Sequence, residues 1–123
     1  MENFKIDVDS DGIALVTFDV PGVLPEAIQP VGVRVTNDGK KVFVALGPSN
    51  RVAVIDGETD EVKDYLLVGQ RVWQMAFTPD EKYLFTTNGN SNDISVIDTA
   101  TDEVTVSVPV GEQPWGVVAV KSD

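Results

Sequence analysis

The sequence predicts an all-β fold built from repeated four-stranded antiparallel units, on three observations. Segments recur at a spacing of 42 residues: Val54-Ile55-Asp56 returns as Val96-Ile97-Asp98, and Thr59-Asp60-Glu61-Val62 as Thr101-Asp102-Glu103-Val104. Each copy divides into short runs rich in Val, Ile, Leu and Phe, separated by Gly, Asn, Asp and Pro. Runs of that kind form strands joined by hairpin turns. No segment sustains the 3.6-residue period of an amphipathic helix.

The chain opens on two alternating runs, Lys5–Val8 and Ile13–Phe18, around Asp9-Ser10-Asp11-Gly12, which predicts a hairpin over residues 1–22. Residues 23–27 carry Pro25 and no periodicity, and read as a joint. The first repeat unit spans 28–69, with strands expected at Val31–Thr36, Lys41–Leu46, Arg51–Ile55 and Glu61–Val68. The second spans 70–111, with strands at Trp73–Thr78, Tyr83–Asn88, Asp93–Ile97 and Glu103–Val110. Aligned without a gap, the two units share 16 of 42 residues, including Phe43/Phe85, Ser49-Asn50/Ser91-Asn92 and Val68-Gly69/Val110-Gly111. Residues 112–123 begin a third copy, since Gln29-Pro30-Val31-Gly32-Val33 returns as Gln113-Pro114-Trp115-Gly116-Val117. Four hairpin-linked strands per repeat of about 40 residues describe one propeller blade. The expected layout is therefore two complete blades and the innermost strand, Trp115–Val120, of a third.

The repeat resembles that of the YVTN family of β-propellers over about residues 28–120. The positions that carry the likeness are Pro30, Gly32, Val33, Asp38-Gly39-Lys40, Val54-Ile55-Asp56 and Val68-Gly69, then Thr78-Pro79-Asp80-Glu81-Lys82, Val96-Ile97-Asp98 and Val110-Gly111. Such propellers serve as binding platforms, surface proteins and companions of quinoprotein enzymes, so the resemblance implies a fold more than an activity. The string Asp9-Ser10-Asp11-Gly12-Ile13-Ala14-Leu15-Val16-Thr17-Phe18-Asp19-Val20-Pro21 resembles the opening hairpin of the enoyl-CoA hydratase (crotonase) family. That likeness stops at Pro21-Gly22. The oxyanion-hole glycines, catalytic glutamates and acyl-CoA cleft of that family lie beyond the match, so it implies no catalytic residue. The chain reads as a composite of two unrelated segments, natural or made in the laboratory.

Composition narrows the function further. Nine basic and twenty acidic residues give a formal charge of −11, without the basic footprint that binding nucleic acid or an anionic membrane surface requires. There are no cysteines and no histidines, which excludes disulfides, thiolate chemistry and His-based acid–base catalysis. No signal peptide is visible at Met1–Lys5, although the propeller family is often exported, and the cellular address stays open. No enzyme activity, cofactor or metal is expected.

Several groups still invite a functional reading. Asp7-Val8-Asp9-Ser10-Asp11-Gly12 has the alternate carboxylates of a calcium loop, but Phe18 stands where the bidentate Glu belongs, so an acidic hairpin turn is expected. Asp56 and Asp98 each close a Val-Ile strand and are expected to cap the following turn through backbone amides. Trp73 and Trp115 share one repeat position, and Arg71, Gln74 and Gln113 neighbour them in sequence. These five could form a ligand or peptide platform where innermost strands converge, or the indoles could wedge between blades. Arg34 is the one charge on an apolar inner strand, facing a central channel or pairing with an acid.

Two blades cannot close a ring, and open blade faces invite association. One arrangement pairs Trp115–Val120 with the N-terminal hairpin as a hybrid third sheet, within the chain or between copies. Three units per chain would give a six-unit ring for a dimer and nine for a trimer, the first lying within the usual four to eight. The expected role is a structural, self-assembling module. The competing expectation is a ligand- or protein-binding propeller associated with periplasmic quinoprotein metabolism.

Overall fold

A computed structural model describes residues 4–18 and 28–123; the joint expected at 23–27 lies outside them. Ten strands are described: β1 Phe4–Val8, β2 Ala14–Phe18, β3 Val33–Val35, β4 Lys41–Ala45, β5 Arg51–Asp56, β6 Val62–Leu67, β7 Val72–Phe77, β8 Tyr83–Asn88, β9 Asp93–Asp98 and β10 Glu103–Pro109. The boundaries fall within two residues of those the sequence predicts. β3-β4-β5-β6 form one antiparallel four-stranded sheet and β7-β8-β9-β10 a second, each in simple meander order. These are the two expected blades.

Alternation along the strands decides how the blades stack. Phe43, Ala45, Val52, Val54 and Leu66 project from one face of the first blade and pack against Val72, Met75, Leu84 and Ile97 of the second. Phe43 meets Phe77 edge-on at 5.8 Å between ring centroids. The opposite face of the first blade is also apolar. Val44, Leu46, Ala53 and Ile55 are buried there, with Ile28, Val42, Val62 and Tyr65 packed around them.

Shifting every position by 42 residues gives the outward face of the second blade: Phe85, Thr87, Ile94, Val96 and Val108. Here the counterpart of buried Leu66 is Val108, which is 41% exposed. The same repeat position is core at one boundary and surface at the other.

Turn geometry repeats with the sequence. Asn50 and Asn92, Asp60 and Asp102, and Arg71 and Gln113 all take positive φ near 50–60°. Glu81 does so where the first copy has Gly39. The Asp56 carboxylate accepts hydrogen bonds from the Glu58 and Thr59 amides, and Asp98 from those of Ala100 and Thr101. Both aspartates thus cap turns.

One expectation is corrected. β1 and β2 pair in register from Phe4↔Phe18 to Val8↔Ala14 and form a two-stranded sheet with no third member among the described residues. Residues 112–123 contain no strand. Within a single chain, therefore, Trp115–Val120 and the hairpin do not form the hybrid third sheet. A strand is defined by the ladder it makes, and Trp115–Val120 has the sequence of an innermost strand without a second strand beside it.

Candidate functional site

The boundary between one blade and the next is where the candidate residues gather. Asn50, held at φ 60° by the Pro48-Ser49-Asn50 turn, turns its Oδ1 toward the next blade and accepts the Arg71 amide at 2.8 Å. Its own carbonyl accepts the Val68 amide. Asn92 repeats both contacts with Gln113, at 2.9 Å, and Val110. The residues leading into the third copy are therefore held as those leading into the second blade are.

From there the start of β7 brings Arg71, Trp73 and Gln74 to one rim. The Arg71 guanidinium carbon sits 4.8 Å from the centre of the Trp73 ring, a cation–π contact. Trp73 and Trp115 lie 6.3 Å apart, inclined at 45°. Trp73 is half-buried, its Nε1 close against Gly89, whereas Trp115 is 66% exposed. One indole thus wedges into the boundary and the other lies exposed on the rim beside it.

Gln74 lies under the first blade, where a Cβ on Gly32 would come 2.9 Å from its Oε1 and from the Trp73 carbonyl. Gly32 donates its amide directly to that carbonyl at 3.1 Å. One repeat on, the Gln74 amide donates instead to the Thr87 hydroxyl, which in turn donates to the Trp115 carbonyl at 3.1 Å. Thr87 replaces Ala45 in the repeat, and its hydroxyl bridges the Gln74 amide and the Trp115 carbonyl. Gln113 is exposed beside a shallow polar hollow of about 310 Å³ lined by Gly89, Asn90, Asn92, Glu112 and Gln113. Arg34 is half-buried, and its Nη1 donates to the carbonyl of Val33 at 2.7 Å, along its own strand.

The structure so brings Arg71, Trp73 and Trp115 together, with Gln74 and Gln113 flanking them. The acidic turns are elsewhere and are occupied by their own backbone. Asp9 Oδ1 accepts the amides of Asp11 and Ile13, both at 2.9 Å, so that carboxylate organises the β1–β2 turn. Backbone hydrogen bonds from Glu58 and Thr59 hold the Asp56 carboxyl below its ordinary value. Asp38 is lowered first by the Lys40 amide and Asp80 first by the Thr78 hydroxyl. Asp38 and Asp80 are exposed and Asp56 is half-buried, and all three are turn residues rather than groups tuned in a cleft. Among the described residues no three His, Cys, Asp or Glu side chains gather as a metal site.

Further boundary contacts were not legible as functional residues. Lys41 Nζ reaches across to Asp102 at 2.8 Å and to the Thr99 carbonyl at 2.6 Å. Glu81 accepts the Asn37 amide on both carboxylate oxygens. Ser91 and Ser95 accept the amides of Gln70 and Gly69. Inside the second blade, Asn88 bridges Asp93, Ser95 and Thr86 in a buried network whose members satisfy one another.

No protein-family profile and no curated protein matches the chain. Among solved structures it is similar to Kuenenia stuttgartiensis hydrazine synthase, with a TM-score of 0.68 and 25% identity over 77% of this chain and 28% of that one. The RRP9 WD40 repeats superpose with a TM-score of 0.66 at 16% identity, over 89% of this chain and 32% of the other. AztD from Citrobacter koseri gives 0.64 at 17% identity, over 93% and 32%. The chain thus spans about a third of the length of these structures. It has the fold of adjoining β-propeller blades.

Proposed function

We propose that this chain is a non-catalytic propeller module whose role is structural: it self-associates through the outward face of its second blade. The observation that supports this reading is the contrast between repeat positions. Leu66 is buried where blade meets blade, while Val108, its counterpart, is exposed along with Val106 and Val110.

The hairpin's likeness to crotonases and the YVTN-like repeat support a composite origin, and neither brings catalytic residues with it. The test is mass by light scattering. The wild-type chain is expected to exceed 13.3 kDa at tens of micromolar. Val108→Asp puts a charge on the open face and is expected to return it to one chain with its blades folded. A wild type that stays at one chain overturns the reading.

A second reading rests on a different observation. Arg71 stacked on Trp73, with Trp115 exposed beside it, suits a planar anionic ligand, as a companion of quinoprotein enzymes would bind. Titrating a quinone carboxylate against indole fluorescence tests it. Saturable quenching lost in Arg71→Ala supports it, and quenching that is linear or unchanged in the variant contradicts it.

A further inference from the structure

Residues 114–120 already follow the path of a third innermost strand. Pro114, Val117 and Ala119 are half-buried and Trp115, Val118 and Val120 exposed, which continues the in-and-out order of Val72, Met75 and Phe77 one repeat earlier. Val120 to Ser122 run on past Thr78, Pro79 and Tyr83 of the second blade. Among the described residues its outer edge makes no ladder.

What differs between the two boundaries is the space beside that strand. At Gly69 a Cβ would come 2.5 Å from Asn88 Nδ2, Asp93 Oδ1 and Ser91 Oγ, all from β8, β9 and the turn between them. At Gly111, the same repeat position, it would meet nothing within 4 Å. The opening there is a cavity of about 350 Å³ lined mostly by apolar surface, with Thr87, Ile94, Val110, Pro114 and Val117 among its walls. Its place in the repeat is that of an antiparallel strand pair joined by a tight turn.

Resting on the self-association proposed above, we infer that the occupant is the β1–β2 hairpin of a second copy. That hairpin is itself an antiparallel pair joined by a tight turn. Its strands are 5 and 5 residues long, against 6 and 6 for β8 and β9, which fill the corresponding place beside Gly69. In its own chain it joins neither blade sheet. The hairpin also precedes the first blade, whereas the opening lies beyond the second, so exchange between copies links the far side of one stack to the near side of the next. Reciprocal exchange is closed by a two-fold axis. Two blades and one hybrid sheet from each copy then make a six-unit ring.

Hydrogen exchange on the intact chain, measured below and above the concentration at which it associates, tests the assignment. Amides of residues 4–18 and 115–120 are expected to slow together by at least tenfold on association. Gly111→Leu, whose side chain is free to stand in the opening of a single chain, is expected to keep native exchange in β3–β10 while raising the association midpoint at least tenfold. Association with no added protection in 4–18 overturns the hairpin as occupant and leaves self-association standing. So does association unaffected by Gly111→Leu. A chain that stays monomeric throughout overturns both.

Discussion

Asn50 and Asn92 perform the same task at successive boundaries: each takes a left-handed turn conformation and clasps the amide two strands ahead. Asn tolerates that conformation better than most residues and supplies the acceptor as well. Asn50→Ala keeps neither advantage and leaves the Arg71 amide without its acceptor. The expected loss is about 1–2 kcal/mol in denaturant unfolding, while Asn92→Ala, which holds only the start of the third copy, is expected to lose less.

Acid sensitivity also resides in single side chains. The carboxyls of Asp38, Asp56 and Asp80 are lowered in the fold from an ordinary value of 3.8, mainly by hydrogen bonds within their turns. A lowered group contributes its full stabilisation above the unfolded value and loses it as pH falls through the folded one. The melting temperature is therefore expected to hold above about pH 5 and to fall below 3.8. Asp56→Asn is expected to flatten part of that fall, and an unchanged acid limb would contradict the assignment. The role of Asp56 was legible from sequence because a cap is local. The role of Asn50 was not: its recurrence was visible, but its partner lies 21 residues away across a blade boundary.

Among elements, the paired glycines give the sharpest contrast. Gly69→Ala drives a methyl into three side chains already committed to one another, with an expected destabilisation of about 1–3 kcal/mol. Gly111→Ala is expected to change single-chain stability by less than about 0.5 kcal/mol. Equal effects in urea melts would mean that the two boundaries are alike. The eight blade strands were legible because each combines β-branched residues with Gly, Asn or Asp turns, and the repeat supplied two readings of each element. The strand expected at Trp115–Val120 fails for a reason no local pattern carries. Strands are completed by neighbours, and among the described residues none pairs with it. The hairpin formed as its alternation implied, but alternation says nothing about which edge it joins. The candidate rim was partly legible as well. A shared repeat position announced Trp73 and Trp115, whereas the burial of one and exposure of the other depends on whether a blade follows.

Two features of the whole molecule favour association: adjoining blades with an all-β topology, and an apolar outward face that the repeat treats as interior. Stacked repeats are stabilised by nearest-neighbour interfaces, so an uncovered terminal face is the place where further stabilisation is available. Lys41–Asp102 and Glu81–Asn37 tie the first boundary. At the second boundary Tyr83 holds the repeat position of Lys41 and brings no ammonium. Pro79 holds that of Asn37 and has no amide to donate. Association there must therefore rest on apolar packing and strand edges more than on those polar ties, and it is expected to weaken little with salt. The most direct test of self-association is sedimentation equilibrium of the unmodified chain across micromolar concentrations. A reversible monomer–dimer isotherm ending at twice 13.3 kDa is expected; a single species at 13.3 kDa over the whole range would contradict it.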